Sequence, residues 1–219
     1  MDVPSPNIKH SFWQSLVKKC QFILLEAFKS MKEASIPRLW EMEEDAITAN
    51  LVKYMNEVPE ARRSGFIITP QHPIYSDEVL NGESSPRKSP IVDIRIACWT
   101  AADQFSYHVE AKNLSEKDWE KSNGASVNAS YYRRRYIETG IDHIASGYYH
   151  PCCLAGYIVN GKSEFIASAI NEMLVTLSRG TEILQQNGHS ESFSTAYYSL
   201  HPVEYPPFII EHFFLLIKE

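Results

Sequence analysis

The strongest constraint on what this chain can fold into is a pair of apolar segments, Ile91 to Thr100 and Phe105 to Asn113, each interrupted by charge. Both are rich in β-branched and aromatic residues, and a short turn around Ala101 to Gln104 separates them, so together they predict a β-hairpin. Asp93, Arg95, His108, Glu110 and Lys112 fall inside this apolar sequence. Charges placed there are costly unless they are paired or hold a metal. Strand alternation sends Glu110 and Lys112 to one face, about 7 Å apart along the strand, with His108 in step with them. Pairing across the short turn carries Asp93 toward the same edge. Two carboxylates and an ammonium are thus expected to converge.

The remaining elements follow from periodicity and punctuation. Trp13, Leu16, Val17, Cys20, Ile23, Leu24, Ala27, Phe28 and Met31 form a helical stripe behind Ser11 as N-cap, giving a helix over 11–33. Pro37 restarts the chain, and Trp40, Glu44, Ile47, Leu51 and Met55 form a second stripe that ends at Val58 and Pro59. Its one carboxylate, Glu44, is set among apolar residues. Gly65 to Thr69 predicts a short strand, and the Pro, Ser and Gly content from Pro70 to Pro90 a long loop. After a polar stretch, Leu114 to Ala125, a helix is expected with Val127, Tyr131, Arg134, Ile137, Ile141 and Ile144 inward and Gly140 as a break or close contact. Cys153 to Val159 predicts a strand closed by Asn160 and Gly161, Glu164 to Gln186 a helix, and Phe193 to Leu200 and Phe208 to Ile217 two more strands. This alternation predicts an α/β fold, a mixed central sheet flanked by helices.

Composition narrows the function classes. With 44% hydrophobic and 22% charged residues over 219 positions, the chain has the apolar content to bury a core, which excludes disorder and fibrous repeats. A net charge of −6 argues against bulk electrostatic coating of nucleic acid, so any such binding must be local. Lys121 and Arg133, Arg134 and Arg135 provide a local patch, because residues 121 to 136 contain no acid. The longest apolar run near the amino end, Phe22 to Leu25, is far too short to span a bilayer, and no secretory cleavage pattern is present, so a cytoplasmic protein without membrane contact is expected. Cys20, Cys98, Cys152 and Cys153 do not form a disulfide framework. His150, Cys152 and Cys153 are ligand types, but adjacent cysteines lack the usual zinc spacing, and buried thiols are the simpler account. His201 and His212, near strand ends, read as structural histidines.

Two carboxylates and a lysine suit phosphodiester hydrolysis. Asp93 and Glu110 are hard oxygen ligands for Mg²⁺, and Lys112 can position or deprotonate an attacking water or offset developing charge. Asp93, sixteen intervening residues, then Glu110, Ala111 and Lys112 on consecutive strands resemble the PD-(D/E)XK nuclease superfamily, the restriction-endonuclease-like fold. Val92 stands where the proline of that motif would be. The resemblance covers about residues 38–159 of a single domain, with the 11–33 helix and the 163–217 segment as additions. It implies a metal-supporting glutamate on the first core helix, for which Glu44 is the choice and Glu41 and Glu43 the fallbacks. It also implies a basic residue on the second core helix, Arg134, with Arg133, Arg135 and Lys121 contributing to DNA contact.

The implied activity is a Mg²⁺-dependent deoxyribonuclease, with Mn²⁺ as substitute. A looser similarity to small nuclease-like proteins of bacterial defence loci rests on Arg134, Tyr136, Ile137, Gly156 and Tyr157 and on the Ser199–His201 and Ile210–His212 segments. It implies defence against foreign DNA, with a homodimer or an ATPase or helicase partner. The alternative is a catalytically silent nuclease-fold subunit that serves as a scaffold in a larger complex.

Overall fold

The computed structural model describes residues 6–100, 103–146, 151–202 and 208–218. The first helix, α1, runs Pro6–Glu33, starting upstream of the expected Ser11 cap, and is followed by a 3-10 turn at Leu39–Glu41. Helix α2 spans Glu44–Glu57 and the short α3 Pro59–Arg63, with Pro59 at a helical start where its missing N–H costs nothing. Strand β1 is Ile67–Pro73, longer than the Gly65 to Thr69 expected. It lies at the sheet edge, where prolines are tolerated, so Pro70 and Pro73 pair with Ile94 and Ile91. The rest of the expected loop carries only a helical turn, α4 (Asp77–Leu80), and a 3-10 turn at Pro86–Lys88.

The hairpin is present as β2 (Ile91–Trp99) and β3 (Gln104–Ser115); Ala101 and Ala102 of its turn lie outside the described residues. The polar stretch after β3 forms a small ladder, β4 (Trp119–Glu120) with β5 (Ser126–Val127). The next helix is continuous but changes type: α5 (Ala129–Arg135), a π-helical turn (Tyr136–Ile141), then α6 (Asp142–Ala145). Gly140 does not break it; a Cβ there would sit 3.1 Å from Leu154, so the glycine permits close packing on the sheet. Strand β6 (Cys152–Asn160) and helix α7 (Ser163–Thr176) follow. The expected helix to Gln186 is corrected. It stops at Thr176, the chain reverses through Ser178 at a φ of 61° and a 3-10 turn at Gly180–Glu182, and Gln185–Glu191 is a strand, β7. Strands β8 (Ser194–His201) and β9 (Phe208–Leu216) close the chain.

Seven strands form one sheet in the order β1-β2-β3-β6-β9-β8-β7. The β3–β6 and β6–β9 pairs are parallel and the others antiparallel, which makes the sheet mixed, as expected. Alternation gives it two apolar faces. Ile94, Ile96, Val109, Ala111 and Tyr157 pack under α1 and α2, and Leu114, Leu154, Ile158 and Phe214 under the π turn and α7. Gly156 lies where the sheet admits no side chain, since a Cβ would meet Leu114 at 2.6 Å and Phe214 at 3.0 Å. Beside it, Tyr157 Oη bonds Thr48 Oγ1 at 3.1 Å and fixes α2 on the sheet one turn beyond Glu44. Among the described residues no helix is long and apolar enough to cross a membrane.

Candidate metal centre

The β2–β3 ladder ends at Ile94↔Val109. Beyond it β2 pairs only with β1 and β3 only with β6, so the two strands part. Asp93 occupies the opening: its Oδ2 accepts the Ala111 N–H at 2.7 Å in place of a strand carbonyl. Lys112 Nζ then lies 2.7 Å from Glu110 Oε1, 3.3 Å from Glu44 Oε1 and 3.4 Å from Asp93 Oδ2, and donates to the Ala111 carbonyl at 2.6 Å. The two carboxylates and the ammonium of the hairpin do converge, and Glu44 joins them.

Glu44 arrives by a different route from the one its stripe suggests. It is the first residue of α2 rather than a mid-helix position, and Trp40 belongs to the preceding 3-10 turn. Free N–H groups at a helix start favour negative charge, which suits Glu44 and Asp45 in the first turn. Glu44 Oε2 accepts the Asn113 N–H at 3.1 Å, so a backbone amide orients it as another orients Asp93. The fallback acids point elsewhere: Glu41 bonds Ser122 at 2.7 Å and Glu43 bonds Lys121 at 2.6 Å.

Asp45 is a member of the site that sequence reasoning missed. Oxygens of Glu44, Asp45 and Asp93 lie within 4.8 Å of one another, a spacing that could hold a cation. Gln71 sits across from Asp93 in β1 at a φ of 51°, and its Nε2 donates to Asp45 Oδ1 at 3.2 Å. The only advance signal was an adjacent pair of acids at a helix start.

Burial makes the electrostatics severe. Asp93, Glu110 and Lys112 are 7%, 5% and 3% exposed, and three carboxylates face one ammonium. Burial, with Asp93 adding to it, pushes the Glu110 carboxyl up to about 8 against the pull of Lys112. Burial likewise raises Glu44, with Lys112 opposing and Asp93 assisting. For Lys112 burial disfavours charge, but Glu110, Asp93 and Glu44 outweigh it and raise its pKa, so the ammonium is firmly charged. Glu110 Oε2 is buried with no hydrogen-bond partner. Surplus buried carboxylate with an orphaned oxygen is the donor chemistry that a hard divalent cation satisfies.

The basic residues are placed differently from expectation. Arg134 is exposed and lines an open cleft of about 530 Å³ between α5 and α7 that contains none of the site carboxylates, so its inward placement is corrected. The physical reason is the π turn, whose wider winding shifts the helix phase; upstream of it the inner side passes through Ala129, Tyr132 and Tyr136 rather than Tyr131 and Arg134. Arg133 donates to the carbonyls of Ser115 and Glu116 at 3.0 and 2.9 Å. Lys121 is buried on Glu43 and so is not a surface contact for DNA. Arg135 is the arginine whose charge acts on Glu44. His143 on α6 also feels the site: burial, then Lys112, hold its imidazole below the usual range, and Asp93 opposes them.

His150 lies outside the described residues. Cys153 is wholly buried and burial pushes its thiol up to about 12, far from a metal-ready thiolate. His201 and His212 are also wholly buried, remote in sequence and contact from Lys112. Comparison with family models, with curated proteins and with solved structures finds no match.

Proposed function

We propose that this chain is a divalent-metal-dependent nuclease of the PD-(D/E)XK type, with Mg²⁺ or Mn²⁺ held by Asp93, Glu110, Glu44 and Asp45. The observation that carries the reading is the convergence of Asp93, Glu110 and Glu44 on Lys112, with Glu110 Oε2 left unpartnered. The order α2, three antiparallel strands β1 to β3, α5, then β6 parallel to β3 supports it, because it matches the order the resemblance implies. When bound, the metal polarises the scissile phosphate and lowers the pKa of a coordinated water.

The protein's own residues do the rest. Ala111 N–H and Asn113 N–H hold Asp93 and Glu44 in fixed orientations. Lys112, kept charged by three carboxylates, serves to orient water and offset phosphoryl charge rather than to remove a proton. Arg135, whose charge acts on Glu44, replaces Arg134 as the phosphate-facing cation. DNA is the proposed substrate and defence against foreign DNA the proposed setting, with a second copy or an ATPase or helicase partner needed to cut both strands.

Cleavage of plasmid and oligonucleotide DNA with Mg²⁺ or Mn²⁺ by the wild type, Asp93→Ala and Lys112→Ala tests the reading. Activity in the wild type alone supports it, and equal cleavage by all three ends it. A catalytically silent subunit is the second reading, favoured by the internal use of Lys121 and Arg133, which shrinks the basic patch. Such a subunit gains no thermal stability from either metal, whereas an intact site does by ligand linkage.

A further inference from the structure

Away from the metal centre, a second set of polar side chains runs in close contact through the C-terminal half. Tyr136 Oη lies 2.8 Å from His212 Nδ1, His212 Nε2 lies 2.7 Å from Ser199 Oγ, and Ser199 Oγ lies 2.7 Å from His201 Nε2. His201 Nδ1 makes a close but bent contact with Glu182 Oε2 at 2.7 Å. Arg179 grips Glu182 through Nε and Nη2 at 3.0 and 2.6 Å and reaches Asp142 through Nη1 at 2.7 Å. Tyr136, Ser199, His201 and His212 have no exposed surface.

Donor counting fixes the proton order. Burial disfavours charge on Glu182, but the Arg179 fork outweighs it and holds the carboxyl below its usual range, so Glu182 only accepts. His201 therefore carries its proton on Nδ1 and accepts at Nε2 from the Ser199 hydroxyl. Ser199 in turn accepts from His212 Nε2–H, and His212 Nδ1 accepts from the Tyr136 hydroxyl. Each hydrogen bond from Tyr136 to His201 then has one donor and one acceptor with both histidines neutral, and the His201 Nδ1–H faces the Glu182 carboxylate. The reverse order leaves the Tyr136 hydroxyl without an acceptor among the described residues, a costly outcome in a dry interior. Ser199, His201 and Glu182 follow the order of a hydrolytic triad, but Ser199 is sealed between two imidazoles and no substrate carbonyl reaches it.

Both ends of this chain return to one segment. Tyr136 opens the π-helical turn and Asp142 immediately follows it. The turn packs on the strands of the metal centre, with Gly140 against Leu154, the register partner of Glu110 in the β3–β6 ladder. A π turn is intrinsically unfavourable and persists only where its surroundings hold it. We propose that the chain from Tyr136 through His212, Ser199, His201, Glu182 and Arg179 to Asp142 is a clamp on both ends of that turn. Ser199, at its centre, is a positioning residue that holds the turn against Leu154 and so steadies the strand that carries Glu110 and Lys112. The clamp stands on its own geometry, and its effect on the metal centre rests on the nuclease reading.

Imidazole nitrogen NMR and amide hydrogen exchange on the full chain test it. The wild type is expected to carry the His201 proton on Nδ1 and the His212 proton on Nε2 at neutral pH. Ser199→Ala is expected to speed exchange of amides 136–142 about tenfold while α2 amides keep their rates. Opposite tautomers, or unchanged exchange at 136–142, overturn the clamp. If Ser199→Ala does not fold, Tyr136→Phe keeps the ring, removes one hydroxyl and takes the same exchange measurement. Mn²⁺ titration of the same variants separates the two readings. A loosened turn with unaltered Mn²⁺ affinity and DNA binding overturns the positioning role. A wild type that binds no Mn²⁺ removes both the positioning role and the metal reading, and leaves the clamp to be decided by tautomer and exchange alone.

Discussion

Glu110 and Lys112 are joined through one carboxylate oxygen at 2.7 Å, while the other oxygen of Glu110 is buried without a partner. Among the described residues Lys112 is therefore the sole ammonium in contact with these three buried or half-buried acids, and half of its strongest partner is still unsatisfied. Removing one member of a buried ion cluster is expected to cost more than keeping it contributes, because charge is left uncompensated. Lys112→Ala is expected to lower metal-free stability by about 3 kcal/mol, or about 6–12 °C in melting temperature for a chain of this size. Calorimetry of the variant with and without Mn²⁺ checks this, and the metal is expected to restore part of the loss.

Asp45 is exposed and, among the described residues, held only by Gln71, so its removal is expected to leave the fold intact. Its oxygen nevertheless stands with those of Glu44 and Asp93. Asp45→Asn is expected to weaken Mn²⁺ binding about tenfold, the usual scale for losing a supporting oxygen at a metal site, with melting temperature unchanged in the absence of metal. Glu43→Gln, two positions away and bound to Lys121, should leave affinity as it was. Equal effects from the two would remove Asp45 from the site.

Arg135 and Arg134 are adjacent but differ in surroundings: the charge of Arg135 acts on Glu44, whereas Arg134 lines the α5–α7 cleft. Arg135→Ala is expected to weaken binding of a short duplex and to reduce the salt dependence of binding by about one counterion. Arg134→Ala is expected to do neither. Fluorescence anisotropy at several salt concentrations, with Ca²⁺ in place of Mg²⁺ to limit cleavage, distinguishes them.

What the amino-acid pattern disclosed tracks how local each interaction is. Asp93, Glu110 and Lys112 were readable because one short turn and strict alternation place them, and both operate within a few residues. Glu44 was found through an apolar stripe, although its real position is a helix start. Asp45 was hidden because its placement depends on Gln71, a residue on a different strand in a left-handed conformation. The arginine choice failed at the π turn, which no 3.6-residue pattern reveals. Strand β7 is missed, its first two residues falling in the helix expected to Gln186, because Gln185 to Glu191 is polar throughout and its strand identity comes from backbone pairing with β8 rather than from its own side chains. The buried chain from Tyr136 to Asp142 joins residues up to 76 positions apart, beyond the reach of any local signal.

The two buried clusters impose opposite pH dependences on stability, which lets each be measured. Glu110 is raised from an ordinary 4.5 to about 8 on folding, so the folded state holds the proton more tightly than the unfolded state. Its contribution is full below 4.5 and is lost as pH rises toward 8. His212 runs the other way: burial, with His201 adding to it, lowers it from 6.5 to about 3, so its contribution is present above 6.5 and is lost as pH falls toward 3. Urea unfolding of the metal-free protein across this range is expected to give a stability maximum in mildly acidic solution. Glu110→Gln, which cannot ionise, is expected to flatten the alkaline limb and leave the acid limb in place. Mg²⁺ is expected to raise wild-type stability most on that alkaline limb, where Glu110 is ionised and able to ligate, and to do so far less in Glu110→Gln. An alkaline limb identical in the wild type and Glu110→Gln would place the titrating group elsewhere and remove Glu110 from the charge balance of the site.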